Sequence, residues 1–394
     1  MYAKRTQWDL NPNPLSVKLE AFRKEGISYL DLTVSNPTQC RLDFPADEIL
    51  SCFRQPADLN YEPEPKGMLK ARQSVCEFYS ARGYSLDPDQ MILTASTSEA
   101  YSFLFKLLAD PGNEILIPTP SYPLFDYLAG LNDVRLRPYQ LFYDNHWCLD
   151  VQTLRDNITP LTKALILVNP NNPTGSSFSE IEYREIINIC KDYQLALISD
   201  EVFMDFPFEG ESLKSFLAES EVLCFVLGGL SKTLALPQMK LSWIYASGPE
   251  SFLRESLSRL ELIADTYLSV NTPIQNALPK LLALSGPIQS MIQSRISQNR
   301  NLIFDFLQRV PEVDYLQAQG GWSAILRIPW GLDEDKFTLT LLDKDEVYVH
   351  PGYFFDISGN RSVVLSLLTD VKNMHRGLEI LGKRIEGFVE SRGK

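Results

Sequence analysis

Four short runs end on polar residues that a buried strand has little reason to keep. They are "VNPNNPTG" with Asn172, "ISDE" with Asp200, "GLSK" with Lys232, and "TASTSEAY", which passes from a strand directly into a helix start at Ser96 and Thr97. Taken singly, most have ordinary readings: Asn172 suits a turn, Asp200 a cap, and Thr97 and Ser98 a helix N-terminus. Lys232 is harder to place, because an ammonium emerging from an apolar strand loses hydration without gaining a partner. Together the four answer one chemical demand. A helix N-terminus binds a dianionic phosphate, a carboxylate holds a protonated ring nitrogen, and an amide donates to a ring oxygen. A desolvated lysine offers an amine for a Schiff base.

The elements that position these residues show in the apolar pattern. Buried strands are expected at Met91 to Ser96, Glu114 to Thr119, Lys163 to Pro170, Leu195 to Glu201, Cys224 to Gly229 and Leu241 to Ser247. Amphipathic stretches lie between them, such as "SEIEYREIINICKDY", where Ile181, Ile186, Ile187 and Cys190 keep helical spacing and Ser179 with Glu182 forms a capping box. Alternating strand and helix implies a largely parallel α/β sheet covered on both faces. The C-terminal part reads as α+β, with a long helix, short strands and a final helix from Asp370. The N-terminal helix "NPLSVKLEAFRKEG" has too little apolar surface to stand alone and is expected to pack on it. The expected division is a large domain over 46–285 and a small one made of 1–45 with 286–394.

Composition narrows the partners. The chain has 394 residues, 44% hydrophobic and 22% charged, with a formal net charge of −13. Such a surface repels phosphate backbones, so no nucleic acid is expected. Six scattered cysteines and three unclustered histidines argue against a metal site or a disulfide framework. No run approaches the ~18 apolar residues of a membrane span, and the first residues lack a leader's apolar core. A cytoplasmic enzyme without membrane contact is expected.

Phosphate, ring nitrogen, phenolic oxygen and imine together describe pyridoxal phosphate (PLP). With "PSYP", the runs "NPNNPTG", "SDE" and "LSK" occur in the order and approximate spacing of the class I and II aminotransferases, and the chain resembles that family from "LDLTVSNPTQ" to its last helix. The resemblance implies PLP fold type I: a mostly parallel seven-stranded sheet between helices, plus the smaller α+β domain. It implies that Lys232 forms the Schiff base and shuttles the proton, that Asp200 pairs with the pyridine nitrogen, and that Asn172 donates to the phenolic oxygen. Tyr122 would stack on the ring, and Ser96, Thr97 and Ser231 would bind phosphate. Tyr61 would reach the phosphate of a neighbouring subunit, which implies a homodimer with shared sites. The reaction implied is transfer of an amino group between an amino acid or amine and a 2-oxo acid. A PLP-dependent lyase or synthase, or a PLP-binding protein without turnover, stays open on the same motifs.

Three positions depart from the family pattern. In "PQMKLS", Lys240 stands where the family's "PGxR" has an arginine, which replaces a planar fork on the phosphate with a point charge. In "RSVVLSLLT", Val364 stands where an arginine grips the substrate's α-carboxylate. Either Arg361, with groups near Ser35 and Asn36, binds that carboxylate in another way, or the substrate lacks one there. In "SDEVF", Phe203 replaces a tyrosine that donates to the phenolic oxygen beside Asn172. Restoring that hydroxyl with Phe203→Tyr is expected to lower the pKa at which the bound chromophore titrates, read by absorbance against pH. An unchanged or raised value contradicts the assignment.

Overall fold

Asn13 caps the first helix, α1 (Pro14–Glu25), by accepting from the Ser16 amide, and Gly26 closes it in the left-handed conformation. The computed structural model describes residues 1–61, 63–268 and 270–392. Strand β1 (Leu30–Asp31) and helices α2 (Ala46–Ser51) and α3 (Leu69–Ser80) follow α1. Strand and helix then alternate through β2 (Met91–Thr94), α4 (Thr97–Leu108), β3 (Glu114–Thr119), α5 (Leu124–Leu131), β4 (Arg135–Asp144) and β5 (His146–Leu149). Next come α6 (Val151–Asp156), β6 (Thr162–Val168), α7 (Glu180–Tyr193), β7 (Ala196–Asp200), β8 (Cys224–Gly229), the single turn α8 (Leu230–Thr233) and β9 (Ser242–Ser247). Helices α9 (Glu250–Tyr267), α10 (Thr272–Ala283) and α11 (Ser285–Arg309) lead to β10 (Asp314–Leu316) and β11 (Ser323–Arg327). The chain ends with α12 (Glu334–Asp345), β12 (Val347–Tyr348), β13 (His350–Pro351), β14 (Ser362–Ser366) and α13 (Val371–Arg392).

The large sheet has strand order β2-β9-β8-β7-β6-β3-β4-β5. Pairing is parallel from β8 through β7, β6 and β3 to β4, and antiparallel at both ends. Among the described residues it therefore has eight strands, not the seven expected. The addition is β5, which folds back on β4 through Asn145 at φ 58°. The hairpin alternates buried and exposed residues along its outer length, so it never presents the continuous apolar run of the inner strands.

Those inner strands are buried on both faces, as β6 shows. Leu165 and Leu167 join a core with Ile186 and Ile187 of α7. Ala164, Ile166 and Val168 point the other way, into a core with Phe103 and Leu104 of α4 and Leu260 of α9. The period of two along a strand thus feeds two helical layers. The capping box at α7 forms as read, with Ser179 Oγ accepting from the Glu182 amide and Glu182 Oε2 accepting from the Ser179 amide.

A second, antiparallel sheet has order β10-β11-β14-β13. The N-terminal segment packs beside it: β1 pairs in parallel with β12 as a separate two-stranded sheet, and the Ser366 amide of β14 donates to the Leu32 carbonyl at 2.8 Å. One close approach ties the two sheets together. Gly175, at φ 66°, accepts from the amides of Gln319 and Gly320, and a Cβ there would overlap the Gly320 oxygen. Only glycine lets the Asn/Pro turn sit this tightly against the segment entering β11.

Candidate active site

Parallel strands deliver their last residues to one edge, and β6, β7 and β8 are neighbours. The turn after β6 carries Asn172, β7 ends in Asp200, and β8 runs through Gly229 into Lys232 on α8. β2 is antiparallel to β9, which is antiparallel to β8, so β2 points the same way and the N-terminus of α4 opens on the same edge. A cavity of about 330 Å³ lies there, lined from the large sheet by Thr97, Tyr101, Tyr122, Asn172, Asp200 and Lys232. The second sheet closes its far side with Trp322, Ser323, His350 and Val364.

The charges here are set by burial. Asp200 is buried, and loss of water pushes its carboxyl up to about 6, against the Val202 amide, the Tyr101 hydroxyl and the charge of Lys232, which all favour the carboxylate. Tyr101 Oη donates to Asp200 Oδ2 at 2.9 Å, and the Val202 amide donates to Oδ1 at 3.2 Å. Lys232 shifts the other way, down to about 8, because burial disfavours its ammonium more than Asp200 and Cys40 favour it. Its Nζ lies 5.2 Å from the Phe203 ring centroid and 4.8 Å from that of Trp322, so aromatic walls replace water around it. Ser323 Oγ makes a long contact of 3.4 Å to Asn172 Oδ1, which leaves the amide nitrogen as the donor that side chain has to offer.

Six of the residues expected from sequence share this cavity: Thr97, Tyr122, Asn172, Asp200, Lys232 and Ser35. The others lie outside the lining. Ser96 caps α4, its Oγ accepting from the Glu99 amide at 3.1 Å, and Ser231 is partly buried beside Lys232. Lys240 is exposed, with φ 52°, at the turn before β9. Tyr61 is 68% exposed. Asn36 Oδ1 is taken up by the amide and hydroxyl of Thr38. Arg361, one of the two readings offered for the substrate carboxylate, lies outside the lining. Its guanidinium stacks on Trp330, 4.0 Å from the ring centroid, and faces Asp314 at 3.8 Å, at the opposite end of β14 from Ser366.

Sequence reading missed Tyr101, Trp322 and His350. Tyr101 was detectable in principle, one turn into the helix that follows "TAS"; the other two carry no local signal.

The family described as aminotransferase class I and II matches residues 29–381. The chain belongs to that family. It is 25% identical over 351 residues to the glutamate-pyruvate aminotransferase AlaA of Escherichia coli (strain K12), a match covering 87% of each chain. It is 27% identical over 384 residues to an alanine aminotransferase of Mycobacterium tuberculosis (strain H37Rv), covering 95% of this chain and 88% of the other. Among solved structures, an alanine aminotransferase from Pyrococcus furiosus superposes with a TM-score of 0.88 at 26% identity, over 98% of this chain and 100% of that one. A Thermus thermophilus aspartate aminotransferase shares the fold, with a TM-score of 0.84 at 22% identity over 98% and 99% of the two chains. The fold is PLP fold type I, and the family's chemistry is PLP-dependent amino transfer.

The residues present fit that cofactor. A buried carboxylate, an amide nitrogen, a desolvated amine and a helix N-terminus converge on one cavity, with the apolar Val202 and the ring of Tyr122 in the same lining.

In this aminotransferase the low pKa of Lys232 has a sign that can be measured on the PLP-free protein. Unfolded, the amine titrates near 10.5; folded, at about 8. Between those values the unfolded chain binds more protons, so stability rises with pH through the window. Relative to Lys232→Met, the wild type is expected to gain up to about 3 kcal/mol from pH 8 to pH 10.5, read by urea unfolding. A difference that stays flat contradicts the burial argument.

Proposed function

We propose that Lys232 is the residue that holds PLP covalently and moves the proton during transfer of an amino group from an amino acid or amine to a 2-oxo acid. Bound PLP supplies an aldehyde that condenses with amines and a ring that takes up the electron pair left on the substrate carbon. The chain's own residues do the rest. Lys232, with its pKa pulled down to about 8, keeps a usable fraction of free amine near neutral pH. Asp200 holds a proton at the ring nitrogen, its carboxylate fixed in direction by Tyr101 and the Val202 amide. Asn172 donates to the phenolic oxygen. Tyr122 and Val202 flank the ring, and both line the cavity.

At the phosphate end, the amides of the first turn of α4 near Ser96 and Thr97 offer donors that no intrahelical acceptor takes. Ser231 and Lys240 add a hydroxyl and a positive charge at the positions where the family binds phosphate. We further propose a homodimer in which Tyr61 reaches the second subunit's phosphate. What supports this is the segment's surface: Leu59 is 92% exposed and Tyr61 68% exposed, beside Asp58, which accepts from Asn276 of α10. The division at 45/46 and 285/286 is proposed as the boundary between the domains. A cytoplasmic location is supported by the six cysteines, all free thiols.

The single observation that carries the reading is the convergence of Asn172, Asp200 and Lys232 from three adjacent strand ends on one cavity. The test uses PLP-loaded protein and an amino donor alone. Transamination converts the cofactor to its amine form without release of ammonia, and Lys232→Ala slows that conversion by roughly 10²–10⁴-fold. Release of ammonia with an oxo acid, and no conversion of the cofactor, indicates a lyase and contradicts the reading.

A further inference from the structure

The amino transfer proposed above brings a carboxylate into the cavity with a 2-oxo acid, and something must receive it. Among the described residues that line the cavity, Lys232 is the one lysine, and there is no arginine. The nearby guanidinium groups are committed elsewhere. Arg361 is held by Trp330 and Asp314. Arg295 spends its donors on the carbonyls of Cys40, Arg41, Leu368 and Thr369. Val364, where a guanidinium was expected, is 3% exposed and apolar.

Directly across the small sheet from Val364 stands His350, paired with it in the antiparallel register of β13 and β14 and lining the same cavity. We propose that His350 is the specificity-determining residue of this site, recognising the carboxylate of the amino-acid and 2-oxo-acid substrates through an imidazole N–H. Two further observations fit that role. The ring is packed edge-on and tilted against Tyr348, Phe354 and Phe355, which holds it in one orientation. Burial pushes its pKa down to about 4, with Asp31 pulling weakly the other way, so the imidazole is neutral and keeps one N–H to donate.

A neutral N–H on a carboxylate in a poorly hydrated site makes a charge-assisted hydrogen bond, weaker than a bidentate guanidinium clamp but directional. Recognition of this kind discriminates by about 10- to 100-fold.

The inference rests on the transaminase reading but fails separately from it. PLP-loaded wild type, His350→Leu and His350→Gln are compared in the half-reaction with L-alanine and with ethylamine, the same donor without its carboxylate. Binding of propionate, which cannot react, is measured alongside by its effect on the chromophore. Wild type is expected to favour alanine by tenfold or more in rate over apparent affinity. His350→Leu is expected to lose at least tenfold of that preference, mostly through weaker apparent affinity, and to weaken propionate binding in step. His350→Gln, which keeps an N–H donor, is expected to recover most of both. A wild type indifferent between alanine and ethylamine overturns the proposal, as does a His350→Leu variant that keeps the preference and the propionate affinity. Absence of any cofactor conversion in wild type would instead contradict the transaminase reading itself.

Discussion

Two ionisable groups, an amine and a carboxylate, have been taken out of water at the ends of neighbouring strands, and most of the molecule serves to keep them there. Burial, partly opposed by neighbouring charges and hydrogen bonds, leaves Lys232 at about 8 and Asp200 at about 6. Each shift is a free-energy cost of burial. The sheet bears it because its inner strands are sealed on both faces by helices, so their carboxyl ends are rigid. The second sheet, through Trp322, shuts water away from the amine. Gly175 allows the two halves to meet closely enough for that wall to hold.

How far this was legible from residues depended on whether the signal was local. Inner strands read clearly because a strand buried on both faces must be an unbroken apolar run; Glu114–Thr119 and Cys224–Gly229 match residue for residue. The β4–β5 hairpin did not, since its burial alternates and its turn depends on Asn145 adopting a left-handed backbone. Asn172, Asp200 and Lys232 were legible because each lies at, or a few residues past, the end of its own strand. Tyr101 reaches Asp200 across 99 residues of sequence, and Trp322 and His350 arrive from another sheet. No periodicity or motif encodes such meetings.

Arg361 is instructive for the opposite reason. In sequence it stands three residues from Val364, close enough to suggest substitution. On a strand, three residues are roughly 10 Å and the opposite face. The guanidinium accordingly finds Trp330 and Asp314 instead of the cavity. Lys240 keeps the charge in sequence, on an exposed side chain at a left-handed turn. The departures from the family pattern thus fall at Lys240, Val364 and Phe203, around the expected positions of the phosphate, the substrate carboxylate and the phenolic oxygen. The proposed reactive pair, Lys232 and Asp200, keeps the family's residue types.

Whether that pair is the reactive centre can be asked in one step. PLP-incubated protein is treated with borohydride, digested, and searched by mass spectrometry for the pyridoxyl group. The account requires it on the peptide containing "GLSK", at Lys232. A label fixed on another lysine, or a protein that takes up no cofactor at all, would contradict it.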